Sequence, residues 1–557
     1  MADRPWRALY PPSLPADLPP LQDASLVALF ERTSRQFADL PALENLGTLL
    51  TYRDWNRLSL RFAHSLRRQG LEKGERLAIM LPNLLQFPVV LMGALRAGLT
   101  VVNINPLFTP RELAQELIDS EASGTVLLAN FGHVLERALA EFGLKLKYIF
   151  VTEAGDLCPA PKRQLVNWTL RYFKRKVPPF QLPVTATLRQ AIEEGRETLL
   201  DVPLEPEDLA FLQYTGGTTG TPKGAMLSHA NLLANIEQAR LWLTCKDFRK
   251  HLESGCERVV TALPLYHIFA LTANLWVGMA LGVFNHLVTD PRDLQGLVKT
   301  IGKSKPSVIT GVNTLFDHLL QTPGFSQLDF SSLKLTLSGG MAMQKAVAER
   351  WQEITGCPVL EGYGLTEASP VVTLNPLDLD AFTGSIGLPL PGTDCRIVYD
   401  SRILPPGEAG ELCVRGPQVM RGYWKKPEET RLVLNEEGWL RTGDIAKMDE
   451  RGFFYLVDRK KDMILVSGFN VYPSEIEEIV NAHPKVKECA AVGVPDISTG
   501  EAVKLVVVKA DPTLTESEIQ SWCRANLTAY KRPRLIEFRT ELPKSAVGKI
   551  LRRKLRN

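Results

Sequence analysis

Apolar runs alternate with amphipathic stretches along the first two-thirds of the chain. The runs that predict β-strands cover residues 76–81, 100–104, 123–129, 147–151 and 209–213. Helical patterns separate them, as over residues 84–98, and another opens at Ser228. Strands and helices in alternation predict α/β layers with mainly parallel sheets.

The pattern changes twice in the last third of the chain. Residues 384–457 carry short alternating runs with Gly and Pro turns, which predict a small β-rich subdomain. The charged cluster 459–462 follows, and taken alone it is typical of a solvated turn. A compact α+β pattern then runs to the end. Because 557 residues are too many for one core, we predict a large domain over 1–458 and a small domain over 463–557.

Composition excludes several classes of protein. A net charge of +3 is too small to indicate a nucleic-acid partner. The eight cysteines are scattered without a C-x-x-C pair, so neither a disulfide framework nor a zinc site is indicated. No apolar core of a signal peptide follows Met1. These features predict a cytoplasmic enzyme.

Residues 262–289 contain no Lys, Arg, Asp or Glu and are long enough to cross a bilayer. Gly278 and Gly282 even form a G-x-x-x-G pair, which is common where membrane helices pack. Polar residues nevertheless punctuate the stretch, among them Pro264, His267 and Asn274. We favour a buried helix followed by a buried strand.

A second segment, residues 165–176, combines aromatic and basic residues. Leu165, Trp168 and Tyr172 share one helical face, Phe173 is nearby, and Lys174 opens a basic run that ends at Lys176. Such a helix suits an anionic membrane surface, and we expect it to contact the inner face of the cell membrane. The alternative is an amphipathic helix packed on its own domain.

The chemistry is concentrated in a loop that follows the predicted strand 209–213. It reads Tyr214, Thr215, Gly216, Gly217, Thr218, Thr219, Gly220, Thr221, Pro222, Lys223, Gly224. Glycines allow close approach of the backbone, while hydroxyls, amides and the Lys223 ammonium suit phosphate oxygens. No Gly-Lys-Ser/Thr sequence opens a helix, so this is not the ordinary P-loop. A flexible linker is the alternative, but we predict a phosphate site.

This loop resembles the AMP-binding signature of the adenylate-forming enzymes, which include acyl-CoA and aryl-CoA synthetases, peptide-synthetase adenylation domains and beetle luciferases. Further matching segments follow in the expected order: 338–342, 361–367, 441–444, 458–468 and 543–549. The matches span the chain from Thr51 onwards, and residues 438–473 are most similar to bacterial long-chain fatty acyl-CoA synthetases. The resemblance implies a large layered domain and a small mobile C-terminal domain.

The resemblance also implies where ATP and Mg²⁺ bind. The loop from Thr215 to Lys223 would hold the β- and γ-phosphates, and Thr366 would contact the α-phosphate. Glu367 would supply an oxygen ligand to Mg²⁺, a hard cation that also binds substrate phosphates. Taken alone, a Thr-Glu pair before a helix is more often a cap.

For the nucleoside and the reacting carboxylate, the resemblance again supplies the roles. The adenine pocket would comprise Gly339, Gly340, Glu361, Gly362 and Tyr363. Asp444 would accept hydrogen bonds from the ribose hydroxyls and Arg459 would donate to them, although Asp444 by itself is an ordinary turn residue. Lys549, otherwise a solvated charge, would bridge the carboxylate and the α-phosphate.

Coenzyme A enters in a second half-reaction, for which the family swings the small domain about a hinge. Lys461 matches the hinge position, and Gly468 would line the pantetheine tunnel, where a side chain would narrow the passage. Tyr266 and His267 match the segment that contacts the acyl substrate. Leu271 stands about where some long-chain synthetases have a tryptophan gate.

The predicted function is ATP-dependent ligation of a fatty acid, with a long chain expected, to coenzyme A through an acyl-adenylate. The alternatives are a fatty-acyl-AMP ligase that loads a carrier protein, a medium-chain synthetase, a peptide-synthetase module, a luciferase-type oxygenase and a non-catalytic lipid-binding homologue. The set Lys223, Glu367, Asp444 and Lys549 argues against the last of these. A homodimer is a further expectation.

Overall fold

The computed structural model describes residues 4–198, 201–215, 222–466, 469–496, 498–545 and 548–556. Its helices are α1 (Leu26–Gln36), α2 (Tyr52–Arg68), α3 (Gln86–Arg96), α4 (Pro110–Ser120), α5 (Gly132–Phe142), α6 (Lys162–Trp168), α7 (Leu188–Glu194), α8 (His229–Leu243), α9 (Ile268–Ala270), α10 (Val277–Ala280), α11 (Leu294–Ser304), α12 (Asn313–Gln321), α13 (Lys345–Thr355), α14 (Pro427–Val433), α15 (Pro473–Asn481) and α16 (Glu516–Asn526). Short 3₁₀ turns cover Pro5–Leu9, Ala129–Phe131, Phe325–Gln327, Thr366–Ala368, Ala529–Lys531 and Arg552–Lys554, and π turns cover Thr169–Phe173 and Leu271–Trp276.

The strands follow the same alternation. They are β1 (Pro41–Asn45), β2 (Thr48–Thr51), β3 (Arg76–Met80), β4 (Thr100–Asn103), β5 (Ala122–Leu128), β6 (Tyr148–Thr152), β7 (Ala186–Thr187), β8 (Leu209–Thr215), β9 (Lys223–Ser228), β10 (Arg258–Thr261), β11 (Phe284–Leu287), β12 (Val308–Gly311), β13 (Leu335–Ser338), β14 (Val359–Gly364), β15 (Val371–Leu374), β16 (Leu388–Pro389), β17 (Asp394–Tyr399), β18 (Arg402–Ile403), β19 (Gly410–Arg415), β20 (Leu440–Met448), β21 (Phe454–Arg459), β22 (Ile464–Val466), β23 (Phe469–Val471), β24 (Val486–Asp496), β25 (Gly500–Lys509) and β26 (Leu535–Arg539).

Two large sheets form the body of the molecule, as the alternating pattern predicts. One has the order β7-β6-β5-β3-β4-β8-β9 and is parallel except for the β8–β9 hairpin. The other has the order β16-β15-β14-β13-β12-β10-β11-β1-β2, with parallel pairing from β14 to β1. Helix α3 is buried along its whole length, which explains why its sequence is nearly continuous apolar rather than amphipathic.

The apolar segment 262–289 lies in this body, as predicted. It forms α9, the π turn Leu271–Trp276, α10 and β11, and Leu271 and Trp276 are fully buried. The buried amide of Asn274 is paired with hydroxyls of neighbouring strands: its Nδ2 donates to Thr261 Oγ1 and to Thr310 Oγ1, at 2.8 Å each. Across the part of the chain that the structure describes, no helix is long and apolar enough to span a bilayer.

The predicted β-rich stretch contains an antiparallel sheet of order β18-β17-β19-β20-β21. The C-terminal part has its own sheet, in which β22, β24 and β25 pair antiparallel and β26 joins β25 in parallel. Helices α15 and α16 cover this sheet and share a separate apolar core with it, including Ile476 and Leu505. A separate hydrophobic core is what a domain of its own requires.

Candidate active site

The predicted adenine segment is held in place by a buried carboxylate. Glu361 lies in β14, is 6% exposed, and its Oε1 accepts a hydrogen bond from Met343 N at 2.9 Å. Burial raises the pKa of Glu361 to about 7. Gly340 has a φ of +81° and nothing within 4 Å of the position a Cβ would take, so open space lies beside this backbone. A Cβ on Gly339 would come within 3.3 Å of the Phe269 ring, which brings the predicted acyl and adenine segments together.

Tyr363, Asp444 and Arg459 meet where β14 faces the β20–β21 hairpin. The Tyr363 hydroxyl donates to Asp444 Oδ2 at 2.7 Å, and Arg459 Nε lies 3.3 Å from Asp444 Oδ1. Burial and the neighbouring Asp444 raise the pKa of Tyr363 well above its ordinary value, so the hydroxyl stays a donor. A carboxylate has about four acceptor positions, so Asp444 keeps capacity for further hydroxyl donors.

Glu367 and Lys223 both contact Tyr423. Glu367 lies in the turn Thr366–Ala368, and its Oε1 accepts a hydrogen bond from the Tyr423 hydroxyl at 2.7 Å. Lys223 Nζ lies 5.3 Å from the centre of the Tyr423 ring and forms an ion pair with Glu429. Glu367 and Tyr423 also line a cavity of about 200 Å³ that extends to Thr442. Glu367, predicted to hold Mg²⁺, and Lys223, predicted to hold phosphate, therefore contact the hydroxyl and the ring of the same tyrosine.

Lys549 enters this region from the small domain, on a tight turn. Lys549 N donates to Ser545 Oγ at 3.1 Å, and Ser545 N donates to Lys549 O at 2.7 Å. Gly548, with a φ of +78°, approaches α12 so closely that a Cβ would lie 2.5 Å from Thr314 Oγ1. Burial and the positive charge of Arg459 lower the pKa of Lys549 to about 7. The Lys549 ammonium is therefore largely buried near Arg459 and Asp444.

His267 is near enough to Lys549 for the charge of the lysine to act on its ring. Its Nδ1 accepts a hydrogen bond from Phe269 N at 3.3 Å at the start of α9, which leaves the proton of the neutral ring on Nε2. Burial, together with the charge of Lys549, lowers the pKa of His267 to about 4. Next to it, Tyr266 O accepts from Gln213 Nε2 at 3.0 Å, which ties the acyl segment to β8.

The predicted hinge residue lies between two sets of anchors. On one side, Lys460 N donates to Gly443 O at 3.0 Å and Lys460 Nζ to Glu411 Oε2 at 3.0 Å. On the other side, Arg556 donates to Lys461 O at 3.1 Å. Burial and Arg459 lower the pKa of Lys461 to about 8. Lys461 therefore follows a residue that is bonded to the β-rich sheet, and its own carbonyl is bonded to the C-terminal part of the chain.

Part of the predicted site lies outside the described residues, namely Gly216, Gly217, Thr218, Thr219, Gly220, Thr221 and Gly468. Of the flanking residues, Thr215 pairs with Lys223 and Tyr214 with Gly224 in the β8–β9 ladder. The Tyr214 ring lies over Gly224, where a Cβ would meet it at 3.2 Å. Gly224 therefore makes room for a ring.

Sequence reasoning missed several residues of this region, chiefly Tyr423, Glu429 and Asp119. Tyr423 belongs to the aromatic and basic run Gly422–Lys426, which was a usable signal. Asp119 lies on an ordinary amphipathic helix, and only the fold brings it to the β8–β9 hairpin.

Comparisons with known proteins agree with this arrangement. Residues 30–424 match the family model described as AMP-binding enzyme, and residues 475–549 match that of the AMP-binding enzyme C-terminal domain. The chain belongs to the AMP-binding enzyme family. The resemblance read from the motifs and the predicted fold class are therefore confirmed.

Members of the AMP-binding enzyme family match this chain over nearly its full length. A long-chain-fatty-acid–CoA ligase of Escherichia coli O6:H1 is 53% identical over 555 residues, which cover 99% of this chain and 98% of that protein. The ligase of the same name from Bacillus subtilis is 40% identical, with 100% and 98% coverage. Among solved structures, an anthranilate CoA ligase in complex with anthranoyl-AMP superposes with a TM-score of 0.82 at 27% identity, covering 97% of each chain.

Proposed function

We propose that this protein is an AMP-forming fatty acid–CoA ligase that acts on long-chain fatty acids. The observation that carries the proposal is the identity of about half of all residues, along the whole chain, with ligases named for that reaction. The charge interactions of Lys549 with Asp444 and with His267 support it, because the C-terminal part of the chain then contributes to the same site as the rest. ATP and coenzyme A are the co-substrates.

In the first half-reaction, a carboxylate oxygen of the fatty acid forms a bond to the α-phosphorus of ATP, and the bond to pyrophosphate breaks. Lys549 is placed to hold the carboxylate and the α-phosphate together as negative charge shifts between them. Thr366 would donate to the α-phosphate, and Lys223 would neutralise the departing phosphates once they displace Glu429. The protein therefore contributes positioning and charge more than covalent chemistry.

In the second half-reaction, the thiolate sulfur of coenzyme A bonds to the acyl carbon and AMP leaves. Lys549 is largely buried near Arg459 and Asp444 in the structure described here, and we infer that the small domain moves before the thiol takes its place. We infer a division into residues 1–458, the hinge 459–462 and the small domain 463–557, with Lys461 as the pivot. Anchors on both sides of that residue support this choice.

Glu367 fits a magnesium ligand. Its carboxylate faces the cavity next to Tyr423, and no group of three or more acidic, His or Cys side chains elsewhere among the described residues could hold a metal. Mg²⁺ commonly binds through one carboxylate together with substrate phosphates, and when bound it would neutralise phosphate charge. Glu367→Gln should raise the Mg²⁺ concentration needed for half-maximal pyrophosphate release, whereas an unchanged magnesium titration would place the ion elsewhere.

Contact with a membrane surface is a further part of the proposal. Leu165, Trp168, Tyr172 and Phe173 are 64%, 56%, 63% and 77% exposed, so they are not packed on their own domain. Residues 157–192 contain no Asp or Glu, which favours an anionic surface as partner. Replacing Lys174, Arg175 and Lys176 by Gln should reduce sedimentation with anionic vesicles and leave activity on micellar substrate unchanged. Binding that ignores both this change and added salt would contradict the electrostatic part.

The substrate assignment is tested by pyrophosphate release. We expect release with palmitate and oleate, weaker release with octanoate, little with acetate or benzoate, and acyl-CoA only when coenzyme A is present. Preference for octanoate would favour a medium-chain synthetase. Acyl-adenylate that passes to a carrier protein but not to coenzyme A would favour a fatty-acyl-AMP ligase. A cytoplasmic location and a homodimer stay predictions, to be tested by fractionation and by light scattering.

A further inference from the structure

The two strand ends that flank residues 216–221 converge on one carboxylate of another element. Asp119 is the penultimate residue of α4, and its Oδ2 accepts a hydrogen bond from the Tyr214 hydroxyl at 2.6 Å. Its Oδ1 lies 3.5 Å from Lys426 Nζ, which in turn donates to Pro222 O at 2.9 Å. Tyr214 precedes the loop and Pro222 follows it. Asp119 is thus linked to both flanks.

The surrounding contacts give this cluster little freedom. Trp424 Nε1 donates to Asp119 O at 3.1 Å, and Trp424 N donates to Gly224 O at 2.8 Å. The side chains of Asp119 and Lys426 are 29% and 18% exposed, so water screens their interaction only in part. A hydrogen bond to an ionised carboxylate is also shorter and stronger than a neutral one.

A second carboxyl behind the cluster fits the same picture. Glu116 lies one helical turn before Asp119, is 4% exposed, and its Oε2 has no hydrogen-bond partner. Burial, with Glu112 and Asp119 nearby, raises the pKa of Glu116 well above its ordinary value. Burial thus disfavours the charged form of Glu116, whereas the Asp119 carboxyl faces Tyr214 and Lys426.

Members of the cluster contact the chain on both sides of Lys223. Lys223 follows Pro222 directly and pairs with Thr215 across the ladder. Asp119 is linked to Pro222 through Lys426, and it binds the side chain of Tyr214, the residue before Thr215. We propose that Asp119, with Tyr214 and Lys426, is a positioning residue that sets Lys223 at the place where the terminal phosphates of ATP bind. This inference rests on the proposed use of ATP.

The test compares two nucleotides that differ in those phosphates. Binding of ATP and of AMP to the full-length protein is measured by calorimetry without fatty acid. Lys223 would contact only the terminal phosphates, which AMP lacks. Asp119→Asn, which weakens hydrogen bonds to a charged group, should therefore weaken the binding of ATP about tenfold and change the binding of AMP by less than about twofold. Tyr214→Phe, which keeps the ring over Gly224, should weaken ATP in the same direction.

The chain offers a matched control. Glu121 forms an ion pair with Lys425 between the same two segments, two residues after Asp119 and one residue before Lys426. Glu121→Gln should therefore leave both affinities unchanged. In a Lys223→Ala background, Asp119→Asn should cause no further loss of ATP affinity, because the residue that it positions is absent.

Equal weakening of ATP and AMP would overturn the proposal, since it would indicate general damage to the nucleotide site. Unchanged ATP affinity in Tyr214→Phe would also overturn it, and that result stands even when Asp119→Asn fails to fold. The measurement uses no fatty acid or coenzyme A. A failure of the substrate assignment, seen in the pyrophosphate assay, is therefore distinct from a failure of this proposal.

Discussion

The two cations of the proposed site are supported in opposite ways. Lys223 belongs to the β8–β9 hairpin, which is tied to α4 through Asp119 and to the segment 422–424 through backbone hydrogen bonds. Lys549 sits on a short turn of the small domain, and that turn approaches the large domain closely at Thr314. In the mechanism that we propose, the first cation stays fixed in the body of the protein and the second is delivered by a part that withdraws. The comparison implies that the cation for the terminal phosphates can stay in place through both half-reactions. The catalytic cation must instead move away before coenzyme A can enter.

The largest effect should come from removing the delivered cation. Lys549→Ala should lower the rate of adenylation by a factor that corresponds to about 3 kcal/mol or more, because the lysine serves charge that develops in that transition state. Pyrophosphate release measures this step. Thioester formation from supplied acyl-adenylate and coenzyme A should largely survive, and an equal fall in both half-reactions would contradict the assigned role.

Restricting the hinge should have the next largest effect, on the other half-reaction. Proline at Lys461 fixes φ and removes freedom at the pivot. Lys461→Pro should still release pyrophosphate but should pass the acyl group to coenzyme A about tenfold more slowly or worse, since hinge residues absorb the domain rotation. Quench-flow should then show acyl-adenylate accumulating on the enzyme. Normal acyl-CoA turnover would place the hinge elsewhere.

The pH profile of adenylation tests the role of the delivered cation, Lys549. Burial and Arg459 lower the pKa of Lys549 to about 7, so in the free enzyme its ammonium form is present below that pH and is lost as the pH rises through it. The kcat/KM of adenylation should therefore fall, by up to about tenfold per pH unit, above pH 7. Lys549→Arg should be slower but should lack this alkaline limb, because arginine stays protonated. A limb that persists in that variant would belong to another group.

The smallest effect concerns the partner that Lys223 has before phosphate arrives. Glu429 pairs with Lys223, and their side chains are 35% and 21% exposed. Because ATP must displace this partly screened partner, Glu429→Gln should lower the KM for ATP about two- to threefold and leave kcat unchanged. Glu428→Gln, which removes the neighbouring exposed carboxylate, is the control. A raised KM would mean that Glu429 helps to place Lys223 instead.

Sequence patterns predicted the parts of this comparison that depend on local order. The strands of the large domain, the buried segment 262–289 and the C-terminal α+β unit follow from apolar periodicity and turn residues. Contacts between distant elements do not leave such a trace. The Asp119–Tyr214 bond joins residues 95 positions apart, and the Tyr423–Glu367 bond joins residues 56 apart. The approach of Lys549 to His267 likewise depends on how two separately folded units meet.

The central claim is that Lys549 is delivered and withdrawn by movement of the small domain. It is tested most directly by the distance between a label on the large domain and a label on the small domain. Spin labels at Gln321→Cys in α12 and Lys554→Cys near the C-terminus can report it once Cys256, the exposed cysteine among the eight, is replaced by Ser. With fatty acid and a non-hydrolysable ATP analogue, pulsed electron paramagnetic resonance should give the distance between the two labels that the structure predicts. With an acyl-adenylate analogue and coenzyme A, the account predicts a second, clearly different separation. The same single distance under both conditions would contradict it.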